Sequence, residues 1–367
     1  MSALFLLSGL QVGGTESKTV KIVNELASRG RQISLAYLQG PEHLLQDISD
    51  EVITTCLQRK GKFSLRALRN LRQFVINNNI DIIVCMNEYP LLYAAALKLF
   101  CGYKDVRVVL AINTTEFKRR RDKFFMFLYS RLIRRIDGVI YGCDYQMRLW
   151  QERYRLAGVD SRVIYNGVNL EQFDRNKISD DLREEFALND SFVIGCVGRL
   201  DREKNQSALL SVAARLNSET QRCDVLLIGA GPALDQLRQQ AIDLGIGDRV
   251  HFLGRMKDVR SALKTMDVFV LPSIAVETFS NAALEAMAMS LPVVLSDIAG
   301  APEMVVDGET GFLYEKDDLE RLTNLLVRLR DDAALRENIG QNARETVARR
   351  FNINQMYDAY QKLLGGS

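Results

Sequence analysis

The sequence predicts two doubly wound, Rossmann-like α/β domains, and three observations carry that prediction. Short apolar runs alternate with helix-length segments along nearly the whole chain, the pattern of βαβ units and parallel sheets covered on both faces. The chain has 367 residues, which fits two domains at roughly 100–200 residues each. Charge divides as well: residues 1–170 hold 25 Lys/Arg against 15 Asp/Glu, whereas 171–367 hold 23 against 31. A single (β/α)8 barrel of about 250 residues shares the alternation, but the charge reversal near residue 170 argues against it.

In the first half, apolar runs predict strands near 3–8, 32–38, 51–56, 80–86, 106–112 and 138–142. Helices fall between them, near 15–29, 64–78, 91–100, 117–136 and 144–157. The second half repeats the rhythm, with strands near 192–198, 224–229, 249–253, 267–271 and 292–296. Its helices are expected near 204–217, 232–245, 257–265, 280–290 and 317–330. The break is expected at Tyr165-Asn166-Gly167-Val168-Asn169, where Asn-Gly marks a turn after an apolar strand. That gives domains 1–170 and 171–351. In the tail 352–367, Met356, Tyr357, Tyr360, Leu363 and Leu364 form a stripe that needs a surface to cover. The stripe by itself leaves open which domain supplies it.

Apolar residues make up 47% and charged residues 26%, the composition of an ordinary soluble globular protein. Six prolines exclude a long disordered or collagen-like segment. Cys56, Cys85, Cys101, Cys143, Cys196 and Cys223 contain no C-x-x-C pair and sit mostly in apolar stretches. Reduced thiols are therefore expected, not a disulfide framework or a zinc site. The opening apolar run is too short for a secretory leader, and no window approaches 18 uninterrupted apolar residues. A soluble, cytoplasmic protein is expected, with no nucleic acid as partner.

Three segments carry chemistry. Gly13-Gly14-Thr15-Glu16 joins a strand to a helix; paired glycines admit a ligand close to the backbone, and the helix start attracts an anion. It is neither a G-x-G-x-x-G nor a P-loop, which argues against dinucleotide redox chemistry and excludes P-loop chemistry. Arg199 and Lys204 lie five residues apart where a strand gives way to a helix. Ligands bind there in open α/β sheets, and two cations can neutralise a diphosphate. Glu277 precedes a helix that opens at Ser280 or Asn281, both good N-caps. Glu285, inside that helix among Ala and Met, is a carboxylate that is costly to bury without a partner. A ribose diol would satisfy it, and the amides of Thr278 to Ala282 could hold sugar hydroxyls and phosphate oxygens.

The spacing Glu277-x7-Glu285, with Pro272-Ser273 before it and Leu291-Pro292-Val293-Val294 after it, resembles the family-4 retaining glycosyltransferases. Gly198-Arg199, Lys204, Gly229-Ala230-Gly231, His251-Phe252-Leu253-Gly254 and Asp307-Gly308-x-x-Gly311-Phe312-Leu313 extend the resemblance, as do Gly13-Gly14 and Ile164 to Val168. It implies a GT-B fold, two Rossmann-like domains facing an inter-domain cleft, with the last helix packing back on the first domain. It implies a nucleotide sugar on the carboxy-terminal domain and an acceptor on the amino-terminal one. Carried over, Glu277, Arg199 and Lys204 would be the catalytic residues: Arg199 and Lys204 on the diphosphate, Glu277 on the transferred hexose. Glu285 would take the ribose, Thr278, Phe279, Ser280 and Asn281 would meet sugar and phosphate, and Arg255 and Met256 the base. Gly14 would leave room for the donor phosphate, with Gly13, Glu16 and Asn113 on the acceptor side.

One departure stands out. Many members carry a His after the fifth strand of the first domain, where this chain has Ile112-Asn113-Thr114-Thr115. Asn113 can hydrogen-bond a hydroxyl but cannot act as a base near neutral pH. The only histidines are His43 and His251; the latter lies in a strand and is read as structural. No Asp-x-Asp occurs anywhere, so no metal is expected and two cations would do its work. The expected function is hexose transfer from a nucleotide diphosphate sugar, a UDP-sugar favoured, to a saccharide or lipid-linked saccharide of a cell-surface polysaccharide or lipopolysaccharide. The alternatives are a nucleotide-sugar 2-epimerase and a non-catalytic nucleotide-sugar-binding protein. Finally, residues 117–135 place Lys118, Arg119, Arg120, Arg121, Arg131, Arg134 and Arg135 around a run of Phe, Met, Leu and Tyr. That is the composition of an interfacial helix, so docking of the first domain on the inner membrane face is expected, with Arg66, Arg69 and Arg72 extending the patch.

Overall fold

The computed structural model describes residues 1–61, 63–113, 120–179, 182–217, 222–275 and 277–365, of which 120–125 are described as backbone only. The chain divides into two compact units, Met1–Tyr165 with Met356–Ser367, and Asn166–Gln355.

The first unit is built on β1 (Ala3–Leu7), α1 (Gly14–Ser28), β2 (Ile33–Tyr37), β3 (Ile53–Cys56), α2 (Leu65–Asn77), β4 (Ile82–Met86), α3 (Glu88–Phe100), β5 (Arg107–Ala111), α4 (Arg120–Ile133), β6 (Gly138–Tyr141), α5 (Asp144–Tyr154) and β7 (Ser161–Val163). Its strands are parallel in the order β3-β2-β1-β4-β5-β6-β7. β1, β2, β4 and β6 are buried at every position, which is why they read as unbroken apolar runs. α2 shows the helical counterpart. Ser64 caps it by accepting from the Ala67 amide, and Ala67, Leu71 and Val75 go inward while Arg66, Arg69 and Arg72 stay exposed. α3 opens at Glu88, ahead of the expected residue 91, and carries Pro90 in its first turn, where a missing N–H breaks no helical bond.

The second unit contains β8 (Ser191–Val197), α6 (Gln206–Leu216), β9 (Arg222–Ile228), α7 (Leu234–Asp243), β10 (Val250–Gly254), α8 (Arg260–Thr265), β11 (Val268–Leu271), α9 (Asn281–Ala288), β12 (Val293–Ser296), α10 (Ala301–Met304), β13 (Phe312–Tyr314), α11 (Leu319–Asp331) and α12 (Ala333–Arg350). Its parallel sheet runs β10-β9-β8-β11-β12-β13. The last helix, α13 (Ile353–Leu363), buries Met356, Tyr357, Tyr360 and Leu363. From Met356 onward it belongs to the first unit: Tyr360 packs on Phe5 at 6.2 Å between ring centroids, and Asp358 pairs with Arg29 at 2.5 Å.

In each sheet the chain turns outward from a central pair, β1 beside β4 and β8 beside β11. At such a switch point the loops leave the carboxyl ends of neighbouring strands in opposite directions and open a crevice for ligand. All six cysteines are free thiols. Among the described residues no helix is long and apolar enough to cross a membrane.

Candidate active site

The carboxyl end of β8 runs into a turn shaped by Asp201, whose Oδ1 accepts from the amides of Glu203 and Lys204 at 3.0 and 3.1 Å. Gln206 Nε2 holds the Arg199 carbonyl at 3.0 Å. Glycines let the next strand-to-helix turn close against this one. Gly229 has φ +143°, and a Cβ there would fall 1.8 Å from the Gly198 carbonyl oxygen; one at Gly231 would fall 2.1 Å from that of Leu200. Gly229→Ala is therefore expected to destabilise the protein by about 3 kcal/mol, since strain and overlap combine. An unchanged denaturant midpoint would contradict this packing.

From the end of β11, residues 272–275 and 277–280 are held from several sides. The Ile274 amide donates to the Glu203 carbonyl at 2.8 Å, and Ser296 Oγ to the Ser273 carbonyl at 2.5 Å. The Gly300 amide reaches the Thr278 carbonyl at 3.1 Å, and Asn166 Nδ2 the Phe279 carbonyl at 3.1 Å. Phe279 packs edge-on against Phe351 at 5.1 Å. Ser280 then caps α9, its Oγ accepting from the Ala283 amide at 3.3 Å. The amides of Asn281 and Ala282, in the helix's first turn, point out of its start.

These two segments meet in one contact. Lys204 Nζ bonds Glu277 Oε2, which also accepts from Ser273 Oγ at 3.1 Å. Lys204 and Glu277 are only 20% and 15% exposed, so each stabilises the other in a partly desolvated setting. Cys196 lies within their field. Burial, against the Lys204 cation and reinforced by Glu277, pushes its thiol up to about 12; it is no nucleophile near neutral pH. Arg199 is not part of this contact. Its side chain is 69% exposed and pairs with Asp201 at 3.2 Å, so the expected pair of adjacent cations is two separate ion pairs. Ser273, cited in the sequence only within the Pro272-Ser273 motif, and Asp201 were given no role in the site, because nothing local marks a serine that bonds a carboxylate or an aspartate that shapes a turn.

Of the other expected residues, Glu285 is half-buried on α9, Phe279 and Ser280 are buried, Thr278 is partly covered and Asn281 is exposed. Arg255 is exposed and Met256 half-buried just beyond β10. In the first unit, nothing lies within 4 Å of where a Gly14 Cβ would be, whereas Glu16 Oε2 folds to within 2.5 Å of that position at Gly13. Asn113 Oδ1 accepts from Lys18 Nζ at 2.8 Å, and its Nδ2 donates to Asn87 Oδ1 at 3.2 Å. Burial lowers the Lys18 ammonium to about 8. His251 Nε2 bonds Asp224 Oδ1 at 2.9 Å and its ring packs on Phe186, a structural placement. Among the described residues no three His, Cys, Asp or Glu side chains gather as a metal site. A cavity of about 420 Å³ lined by Asp174, Asp267, Arg336 and Arg344 lies where β11 and β12 begin, at the opposite strand ends from this chemistry. Of its lining residues, Arg344 pairs with Asp174 at 3.8 Å, and Asp267 pairs with Arg183 at 2.9 Å.

Comparison with known proteins agrees in both units. Residues 12–172 match the model of Glycosyltransferase Family 4, and residues 178–346 that of Glycosyl transferases group 1. The capsular polysaccharide biosynthesis glycosyltransferase CapM of Staphylococcus aureus is 32% identical over 207 residues, 54% of each chain. The UDP-Gal:alpha-D-GlcNAc-diphosphoundecaprenol alpha-1,3-galactosyltransferase of Escherichia coli is 34% identical over 206 residues, 55% of this chain and 53% of that one. The chain thus spans about half the length of these curated relatives. HepE of Anabaena, in its crystal structure with UDP, superposes with a TM-score of 0.85 at 22% identity over 99% of both chains. At that identity the likeness speaks to the fold.

Proposed function

From the premise that the chain belongs to the family-4 glycosyltransferases and has the GT-B fold, we propose a retaining, metal-independent hexosyltransferase. Its donor is a nucleotide diphosphate sugar, a UDP-sugar above others, and its acceptor a hydroxyl of a saccharide or lipid-linked saccharide in cell-surface polysaccharide or glycolipid synthesis. The observation that carries this reading is the Lys204–Glu277–Ser273 contact at the switch point of the second unit. Without substrate the two charges neutralise each other. With donor bound, Lys204 turns to a phosphate oxygen and Glu277 to hexose hydroxyls, so the sugar–phosphate bond lies between them. Arg199, with its exposed side chain, closes on the diphosphate, while the amides at the start of α9 meet sugar and phosphate. Glu285 takes the ribose, and Arg255 and Met256 flank the base.

In the transfer, the acceptor oxygen bonds the anomeric carbon as the bond from that carbon to the diphosphate breaks on the same face. The acceptor proton passes to the departing phosphate oxygen. No side-chain base is required, which suits the Asn113 that departs from the family pattern. Stabilising the departing charge is the larger task, and preorganised cations and amides perform it; Lys204 and Arg199 stand in for a divalent ion. The donor named for the E. coli relative is UDP-Gal and HepE was crystallised with UDP, which supports a UDP-sugar here. A thermal-shift screen of UDP-, GDP- and ADP-sugars tests it. UDP-sugars should raise the melting temperature most, with about 2.7 kcal/mol of stabilisation at a hundredfold excess over Kd, and EDTA should change nothing. No shift with any nucleotide sugar, or a strict Mg²⁺ requirement, would contradict the reading.

We further propose that the first unit works at the cytoplasmic face of an anionic membrane. Lys118 and Arg119 lie outside the described residues, and the side chains of Arg120 and Arg121 are not described. The remainder of the segment supports the proposal. A concave surface of about 580 Å³ is lined by Phe127, Ser130, Arg131, Arg134, Arg153, Tyr154 and Arg155, with no acidic residue among them. Phe127 and Leu128 are 54% and 48% exposed, and the Arg131 guanidinium lies 4.3 Å from the Phe127 ring centre. Co-sedimentation should show binding that needs anionic lipid and fades with salt. Arg131→Ser with Arg134→Ser should weaken it roughly 30-fold, at about 1 kcal/mol for each arginine. Wild-type protein that ignores anionic vesicles at low salt would refute the docking.

A further inference from the structure

A second polar cluster lies in the first unit, where β1, β4 and β5 stand side by side at the turn in strand order. Asn87, between β4 and α3, adopts φ +77°, a conformation costly for a residue with a side chain. Its amide donates to the Ala111 carbonyl at 2.9 Å, and its Oδ1 accepts from the amide and side chain of Asn113 at 3.3 and 3.2 Å. Asn113 in turn accepts from Lys18 at 2.8 Å. This bonded chain fixes the end of β4, and Glu88 and Tyr89 follow it directly as the first residues of α3. Among the described residues, Glu88 Oε1 and the Tyr89 hydroxyl are buried with no hydrogen-bond partner.

Burial raises the Glu88 carboxyl to about 7, and Tyr129 of α4 shares its electrostatic surroundings. Two neighbouring buried oxygens without a hydrogen bond call for an explanation, since such groups are costly and uncommon. Packing does not supply one, because Met and Phe would fill much the same space with no polar atom to satisfy. Ligand hydroxyls would supply it: they donate to a carboxylate and both donate to and accept from a phenol. A phosphate would be repelled by the carboxylate. The place agrees, since the crevice at the carboxyl ends of strands flanking a switch point is where open α/β sheets take ligands.

We propose that Glu88 and Tyr89, set in place by Asn87 and Asn113, form a subsite for the hydroxyls of a neutral sugar ring of the acceptor. Glu88 Oε1 accepts from one hydroxyl and the Tyr89 phenol bonds a second. The proposal rests on the reading of the first unit as the acceptor side. It is tested on the full chain, with UDP present, by saturation-transfer NMR with the methyl glycosides of glucose, galactose, mannose and N-acetylglucosamine. At least one glycoside should bind through its ring protons. Glu88→Gln should weaken it at least tenfold, and Tyr89→Phe several-fold, with circular dichroism and UDP affinity unchanged. Equal glycoside affinity in wild type and Glu88→Gln, or no glycoside binding to wild type that binds UDP, would overturn the subsite and leave the donor reading standing. Wild type that binds no nucleotide would instead overturn the donor reading itself.

Discussion

Replacing Lys204 with alanine should lower kcat/KM by at least about a hundredfold while circular dichroism stays the same. The size follows from what one preorganised group aimed at developing charge contributes, about 10²–10³ in rate. Lys204 suits that role because its ammonium is held at the carboxyl end of β8 by the Asp201 turn and faces Glu277 and Ser273 in a partly desolvated corner. The substitution also takes the cation from a Glu277 side chain that is only 15% exposed, so a modest loss of stability should accompany the loss of rate. Arg199→Ala should separate the two effects. Its side chain is 69% exposed, hence the melting temperature should hold while kcat/KM falls on the same scale. Near-normal turnover in both variants would remove the phosphate clamp from the account.

The second large effect distinguishes the two carboxylates. Glu285→Gln should weaken binding of free nucleoside diphosphate by about tenfold or more, on the scale of a charged hydrogen bond lost to a neutral one. Glu277→Gln should leave free nucleotide binding intact, because its proposed partner is the hexose, yet depress transfer by about a hundredfold or more. Calorimetry with UDP and initial rates with the UDP-sugar read the two quantities independently. The reverse pattern would show that the two roles are exchanged.

Much of this architecture was legible because parallel strands buried on both faces must be apolar throughout. β1, β4, β8 and β11 announce themselves that way. β7 and β13 have three residues each, too few for a run to register. α12 carries a polar surface and buries little beyond Ile339, Gly340, Ala343, Thr346 and Val347, so no apolar stripe marked it. The start of α3 was hidden by Pro90, which reads as a break but is harmless in a first turn. In the candidate site, Glu277, Glu285, Arg199 and Lys204 were singled out by residue type and by their places near strand ends or within a helix. The bond between Lys204 and Glu277 joins residues 73 apart in sequence, a product of β8 and β11 lying side by side that no local pattern encodes. Glu88 was passed over for a related reason. A glutamate between an apolar strand and an apolar helix looks like a solvated turn residue, and only the fold shows its oxygen buried beside Tyr89 and Tyr129.

The central claim is that the Lys204–Glu277 corner cleaves a sugar–diphosphate bond with retention and without a metal. The most direct test follows the slow hydrolysis of the tightest-binding UDP-sugar by proton NMR, in EDTA, with wild type beside the Lys204→Ala variant. The α-anomer of the free hexose should appear first and then mutarotate, and the variant should release it at least about a hundredfold more slowly. First appearance of the β-anomer would contradict retention, and release of the 2-epimer would mark an epimerase. A donor that binds tightly and is never consumed, even with a glycoside acceptor present, would mark a binding protein and end the catalytic reading.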